Sequence, residues 1–260
     1  MKKSAQRPRV LILYTGGTIG MDIHESPSGR ETLSIPHLSN QLLTRRFRQH
    51  APELERIAHC DIKILMNRDS AHIGPDEWLL IASDIQRSWK NYDGIVLLHG
   101  TDTLAYTASA LSFLLRPCLK PVVITGAQRP LSALRSDARM NIVSAVEIAA
   151  QGPREVVNQV TVFFGDKLFQ GNRVRKKSAA DFSAFESPYL EPIAVEGTHI
   201  RYFDSPVARP KKDAPKLLPR FSKKILRAHV TPGFPAECMT REFLSQFDGI
   251  LLTVFLSGTA

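Results

Sequence analysis

A chain of 260 residues, 43% hydrophobic and 23% charged, is long enough for one large or two smaller folded units with a sizeable core. Its net charge of +9 at pH 7 is concentrated between Arg209 and Arg227, where Lys211, Lys212, Lys216, Arg220, Lys223 and Lys224 stand among prolines. That placement reads as a solvated linker, not a nucleic-acid footprint, although a positive field also favours small anionic substrates or products. No apolar run reaches the length of a membrane span or a signal-peptide core, and Cys60, Cys118 and Cys238 have no metal or redox spacing. The expectation is a cytoplasmic chain with reduced thiols and neither a membrane nor a nucleic-acid partner.

In chain order, the first element is a strand over Val10–Tyr14, apolar, branched and too short for a helix. It runs into Gly16 and Gly17, which permit a tight turn and close approach to a ligand, and Thr18 follows. A helix is predicted over Ile35–Gln49 and a strand over Asp61–Met66. A helix over Pro75–Lys90 opens on Pro75, Asp76 and Glu77, residues suited to a first turn. A second strand–glycine turn follows: Gly94–Leu98 ends in His99 and Gly100, and the turn carries Thr101, Asp102 and Thr103. The helix Thr103–Leu115 places Leu104, Ala108, Leu111 and Leu115 on one face. Further strands are predicted over Pro121–Thr125 and Gln159–Phe164, and a helix over Ser136–Gln151 that Ser136 or Asp137 caps.

This alternation predicts an α/β fold with a Rossmann-like parallel sheet in the main domain, residues 1–204. A Pro- and Lys-rich linker over residues 205–224 follows. Residues 225–260 form a smaller α/β domain with a strand over Ile225–Val230, a helix over Cys238–Gln246 and a strand over Gly249–Phe255. One helix between two strands is thin, so this second domain is expected to be incomplete or completed by another subunit.

If the two strand–glycine turns sit side by side, Thr18, Thr101 and Asp102 share one crevice at the carboxyl ends of the strands, where α/β sheets bind ligands. Two hydroxyls and a carboxylate suit nucleophilic attack on an acyl carbon. Taken singly, Thr18 and Asp102 also read as ordinary cap residues, Lys176 as a surface lysine, Asp69 and Ser70 as a turn, and His99 as structural packing. The first turn is neither G-x-G-x-x-G nor a P-loop, which speaks against a phosphate cradle.

The segments YTGGTIGM (Tyr14–Met21) and HGTDTLAYTASALSFLL (His99–Leu115) resemble the two signatures of the bacterial-type L-asparaginases, the second in its cytoplasmic, type I form. KPVVITGAQRPLSALRSDARMN (Lys120–Asn141), a GNRxxK element (Gly171–Lys176) and DGILL (Asp248–Leu252) follow in the same order. The resemblance implies hydrolysis of the asparagine side-chain amide to aspartate and ammonia through an acyl-threonine, without metal or organic cofactor. It implies Thr18 as primary nucleophile, Thr101 as second catalytic threonine, and Lys176 as the lysine that helps to activate Thr101 and the attacking water. Asp102 would bind the substrate's α-amino group. Asp69 and Ser70 would clamp the substrate, Ser70 through its α-carboxylate. Backbone N–H groups of the two turns are natural oxyanion donors, and Arg173, Arg175 and Lys177 are neighbours whose charge bears on Lys176 if they point the same way. A homo-oligomer, dimer or tetramer, is implied as well. The family's loop tyrosine has no counterpart here. The loop Asp22–Pro36 offers His24, Glu25, Ser26, Ser28 and Arg30 instead, with His24 a possible base, and Tyr14 lies in the strand. Other readings are an amino-acid-binding homologue without turnover and a related glutaminase or amidotransferase-type amidase.

Overall fold

The computed structural model describes residues 7–25, 31–152, 154–203, 222 and 224–255. The chain divides into two compact units, Met1–Leu217 and Leu218–Ala260.

In the first unit, β1 (Arg9–Gly16) leads into a hairpin of β2 (Asp22–Glu25) and β3 (Glu31–Ser34), then α1 (Asn40–His50), α2 (Leu54–Ile57) and β4 (His59–Arg68). Next come α3 (Pro75–Ser88), β5 (Gly94–Leu98), α4 (Leu104–Leu114), β6 (Val122–Thr125), α5 (Ala138–Gln151), α6 (Arg154–Val157) and β7 (Val160–Phe164). Short strands complete the unit: β8 (Lys167–Gln170), β9 (Arg175–Lys176), β10 (Phe185–Glu186), β11 (Ala194–Glu196) and β12 (Ile200–Tyr202).

The main sheet has the order β12-β11-β8-β7-β6-β5-β1-β4. Strands β4, β1, β5, β6 and β7 are parallel. Strands β8, β11 and β12 extend the sheet with antiparallel pairings. The fold is therefore α/β with a large, mainly parallel sheet. The central strands read as unbroken apolar runs because both faces are covered: every residue of β5 and β7 is buried. On one face Ile12, Tyr14, Val96 and Leu98 pack with Leu43 and Phe47 of α1 and Ile142 and Ala145 of α5. Leu11, Leu13, Ile95 and Leu97 alternate with them along the strands and are equally buried.

Several boundaries differ from the sequence expectation, each for a local reason. Helix α1 starts at Asn40 instead of Ile35 because Ser39 caps it, its Oγ accepting from the Leu42 N–H at 3.1 Å. The loop expected over Asp22–Pro36 contains a hairpin, in which Ile23 faces Leu33 across the strands. Ser26, Ser28 and Arg30 lie outside the described residues. Asp137 precedes α5 but does not cap it with its carboxylate. Ser136 Oγ accepts from Ala138 N at 3.0 Å instead.

The second unit has a parallel pair, β13 (Ile225–His229) and β14 (Gly249–Thr253). Between them the expected helix is reduced to α7 (Arg241–Leu244), because Thr240 caps at that point, its Oγ1 accepting from Phe243 N at 3.1 Å. Residues 204–221 and 223, which hold nearly all of the expected linker, lie outside the described residues, as do residues 256–260.

The strand order reverses at β1. From β1 the chain passes to β4 on one side, and then crosses to β5 on the other. The carboxyl ends of β1 and β5 thus flank a topological switch point, the place where open α/β sheets form a crevice.

Candidate active site

Three turns are drawn together at this crevice by glycines. Gly16 and Gly17 both have positive φ, 115° and 90°. A Cβ on Gly16 would stand 2.0 Å from the Arg68 carbonyl oxygen, and one on Gly17 would stand 2.4 Å from Gly100 Cα. No side chain fits at either position. The β1 turn therefore touches the ends of both β4 and β5. The β1–β4 register shifts between Tyr14↔Ile64 and Gly16↔Arg68, which carries Arg68 and the residues after it to the Gly16 turn. Gly100 in turn abuts the Ser70 side chain, 2.7 Å from where its own Cβ would be. Gly17, next to Thr18, and the Ser70 side chain thus both pack against Gly100, next to Thr101.

Lys176 reaches this cluster from β9, outside the parallel sheet. Its Nζ donates to Thr101 Oγ1 at 2.8 Å and to Asp102 Oδ1 at 2.7 Å. The lysine side chain is 18% exposed, whereas that of Asp102 is 68% exposed. One end of the ion pair is thus sheltered, and the other opens to solvent and to any incoming cationic group. The neighbouring cation Arg175 is turned into an ion pair with Glu186, at 2.7 and 2.8 Å. The charge placed directly on Lys176 is the Asp102 carboxylate.

Thr101 is buried and held from a second side. Its hydroxyl donates to Gln128 Oε1 at 3.3 Å. Gln128 sits just after β6 in a turn fixed by Asp137. The Asp137 carboxylate accepts from the backbone N–H of Gln128 at 2.9 and 3.1 Å, from that of Arg129 at 3.0 Å, and from Asn141 Nδ2 at 3.1 Å. Asn141 also donates to the Gly126 carbonyl at 2.9 Å and accepts from Gly165 N at 3.1 Å. This buried lattice explains why Asp137 leaves its own helix uncapped. Sequence reasoning assigned no site role to Gln128 or Asn141 and read Asp137 only as a helix cap. Their one signal was membership of the matching Lys120–Asn141 segment.

Ser70 is 3% exposed, and its carbonyl accepts from Thr103 Oγ1 at 2.7 Å. Asp69 is half-buried and its carboxylate accepts from Ala71 N at 2.9 Å, so it also caps a short turn. Thr18 is half-buried at the first position of the turn Thr18–Gly20. Beneath that turn lies Tyr14. Its hydroxyl is 2.2 Å from where a Gly20 Cβ would be and donates to Asn67 Oδ1 at 3.3 Å. Burial raises the Tyr14 phenol well above its ordinary pKa, with Arg46 pulling it down and Asp22 pushing it up. Tyr14 is a prop for the Thr18 turn. His24, in the hairpin, shares a 2.8 Å hydrogen bond with Ser34 Oγ on an exposed surface. The hairpin is pinned at both ends, by Arg46 to Asp22 and the Gly20 carbonyl, and by Arg129 to Glu31.

His99 is structural, as its place at a strand end suggested. The Gly100 carbonyl can only accept, so the proton of the neutral His99 ring is on Nδ1 and is donated to it at 2.7 Å. Nε2 then accepts from the Thr107 hydroxyl at 2.9 Å, and Thr107 Oγ1 in turn accepts from Trp78 Nε1 at 2.9 Å. Burial lowers the His99 pKa from 6.5 to about 4, partly offset by the Gly100 bond. The folded pKa lies below the unfolded one, so as pH falls the unfolded chain binds the proton first. The His99 contribution is complete above about pH 6.5 and is lost as pH drops towards about 4. Urea midpoints are expected to fall across that window, and His99→Gln is expected to flatten that part of the profile. An unaltered slope in the variant would count against a neutral, buried His99.

Residues 9–208 match the family described as Asparaginase, N-terminal. The chain is 42% identical over 242 residues to L-asparaginase 1 of Escherichia coli strain K12, covering 93% of this chain and 68% of that protein. The crystal structure of L-asparaginase I from Vibrio cholerae superposes with a TM-score of 0.83 at 37% identity, covering 98% of this chain and 74% of that one. The thermostable L-asparaginase from Thermococcus kodakarensis superposes with a TM-score of 0.77 at 31% identity, covering 96% and 72%.

Proposed function

This chain belongs to the asparaginase family, and on that footing we propose that it hydrolyses L-asparagine to L-aspartate and ammonia through an acyl-threonine intermediate. The observation that carries the reading is Lys176 bonded at once to Thr101 Oγ1 and Asp102 Oδ1, at 2.8 and 2.7 Å, beside the Gly17–Gly100 contact. In this reading the Asp102 carboxylate, open to solvent, takes the substrate's α-ammonium group, and Asp69 and Ser70 clamp the substrate, Ser70 through its α-carboxylate. Thr18 Oγ1 attacks the side-chain amide carbon while its proton leaves through the polar network. The carbonyl electron pair moves onto oxygen, where N–H groups of the glycine turns stabilise it. The amide nitrogen takes up the proton lost by Thr18 as the intermediate collapses and leaves as ammonia, with an ester on Thr18. Water held by Thr101 and Lys176 then attacks the ester and releases aspartate. Water is a poor nucleophile at neutral pH, and the Lys176–Thr101–Asp102 arrangement is what activates it in this second step.

The reading extends to a cytoplasmic homo-oligomer. The cysteines Cys60, Cys118 and Cys238 are unpaired, which suits a reducing compartment. Helix α4 contains no charged residue and leaves Tyr106 and Phe113 exposed at 59% and 51%, which suits a protein contact. Among the described residues, no helix is long and apolar enough to cross a membrane.

Ammonia release from L-asparagine and from L-glutamine tests the substrate. The two side chains differ by one methylene, worth about 1–3 kcal/mol in a fitted pocket. We expect kcat/KM for asparagine to exceed that for glutamine by roughly tenfold or more. Release from glutamine at equal or greater efficiency would refute the asparagine assignment.

A further inference from the structure

Gln128 lies against Thr101, and its amide has only one workable orientation. One end faces the Asp181 backbone carbonyl at 3.1 Å. A carbonyl can only accept, so the amide nitrogen must be at that end and Oε1 at the other. Oε1 is an acceptor and lies 3.3 Å from Thr101 Oγ1, so the Thr101 hydroxyl must donate to it. The oxygen of Thr101 is then left to accept from Lys176 Nζ at 2.8 Å. The Gln128 backbone cannot drift, because its N–H is anchored on the buried Asp137 carboxylate.

We propose that Gln128 is a positioning residue for Thr101. Its amide and Lys176 clamp the threonine hydroxyl from two sides, fixing its rotamer and aiming its proton at Gln128, so that the lysine meets a lone pair. The inference rests on the hydrolytic reading of the site for its kinetic consequence, but the clamp itself is a property of the resting chain. In operation, Thr101 is released from Gln128 only when a bound substrate or water offers a better acceptor. An apolar side chain of the same length would leave the hydroxyl held on one side alone, free to swing and to donate to Asp102.

Two variants and two readouts test this. Gln128→Met keeps the length and removes the acceptor, whereas Gln128→Glu keeps an acceptor facing Thr101, and both lose the donor to the Asp181 carbonyl. For asparagine hydrolysis, Gln128→Met is expected to lower kcat about tenfold with KM little changed, the size of effect that one lost hydrogen bond produces. Gln128→Glu is expected to recover most of that loss. The second readout needs no turnover. Scalar couplings of the Thr101 γ-methyl to its backbone report rotamer occupancy, and we expect one rotamer in the wild type and averaging in Gln128→Met. Wild-type kcat with a single Thr101 rotamer in Gln128→Met would overturn the proposal. So would equal losses in both variants with unaltered couplings, which would make Gln128 a packing residue. If the wild type releases no ammonia from asparagine, the substrate assignment fails, and the couplings still decide the clamp.

Discussion

Thr18→Ala is expected to lower kcat for asparagine by roughly four orders of magnitude or more, the scale of nucleophile removal in hydrolases that work by acyl transfer. The expectation follows from where the turn lies. Gly16 and Gly17 hold the β1 turn so close to Arg68 and Gly100 that a Cβ on them would stand 2.0 and 2.4 Å from the backbone there, so Thr18 is delivered to the crevice between β1 and β5. Tyr14 props the turn from below and the Ile19 side chain is buried beside it. Thr18 itself is only half-buried. Losing its hydroxyl and methyl should therefore leave the fold and the affinity for aspartate close to wild type. A large fall in kcat with an unaltered melting temperature and preserved aspartate binding is the predicted pattern. Substantial residual turnover in Thr18→Ala would shift the nucleophile to another group.

Lys176→Met is the second large effect. Kinetic loss of about 10²–10⁴-fold in kcat is expected, the range for removal of a group that manages proton transfer. Methionine matches the stem of the lysine, so packing against the buried Phe185, which pairs with Lys176 across β9 and β10, is retained. The ion pair adds little to stability, because its Asp102 side is 68% exposed and well solvated. Catalysis and stability should thus separate. Thr101→Ala should cost a similar factor, and the double variant should lose much less than the product of the two, since the residues share one hydrogen bond of 2.8 Å. Additive losses would mean that Lys176 and Thr101 act independently.

Much of the crevice was legible from two local patterns. Each is an apolar run ending in glycine with a hydroxyl residue next, and burial on both faces of the sheet explains why β1 and β5 read so plainly. The alternation of strands and helices pointed to a parallel sheet, but that β1 lies beside β5 was only a condition of the sequence reading, and the strand order with its reversal at β1 is a finding of the structure. Lys176 is a different case. It arrives on a two-residue strand whose partner is nine positions downstream, and no periodicity marks so short an element. Only the family resemblance pointed to it. The antiparallel strands β8, β11 and β12 escaped for the same reason, being three or four residues long. Gln128 and Asp137 were hidden by their chemistry. A carboxylate at a helix start reads as a cap, and only the three-dimensional path of the Gly126–Arg129 turn turns Asp137 towards that backbone instead.

The hairpin β2–β3 occupies the place where the sequence reading expected a loop, and it brings no tyrosine. Its described contacts are ion pairs, Arg46 with Asp22 and Arg129 with Glu31, both at 2.7 Å. The second of these ties the hairpin to the residue next to Gln128. His24 is engaged with Ser34 on the exposed side, so the structure gives no support to His24 as a base for Thr18.

The most direct test of the acyl-threonine scheme is rapid acid quenching of the full chain with L-asparagine, followed by mass spectrometry of the peptide that contains Thr18. The scheme predicts an aspartyl ester on Thr18 during turnover, absent from Thr18→Ala. Steady ammonia release with the ester on Thr101 alone, or with no adduct and an active Thr18→Ala variant, would contradict it.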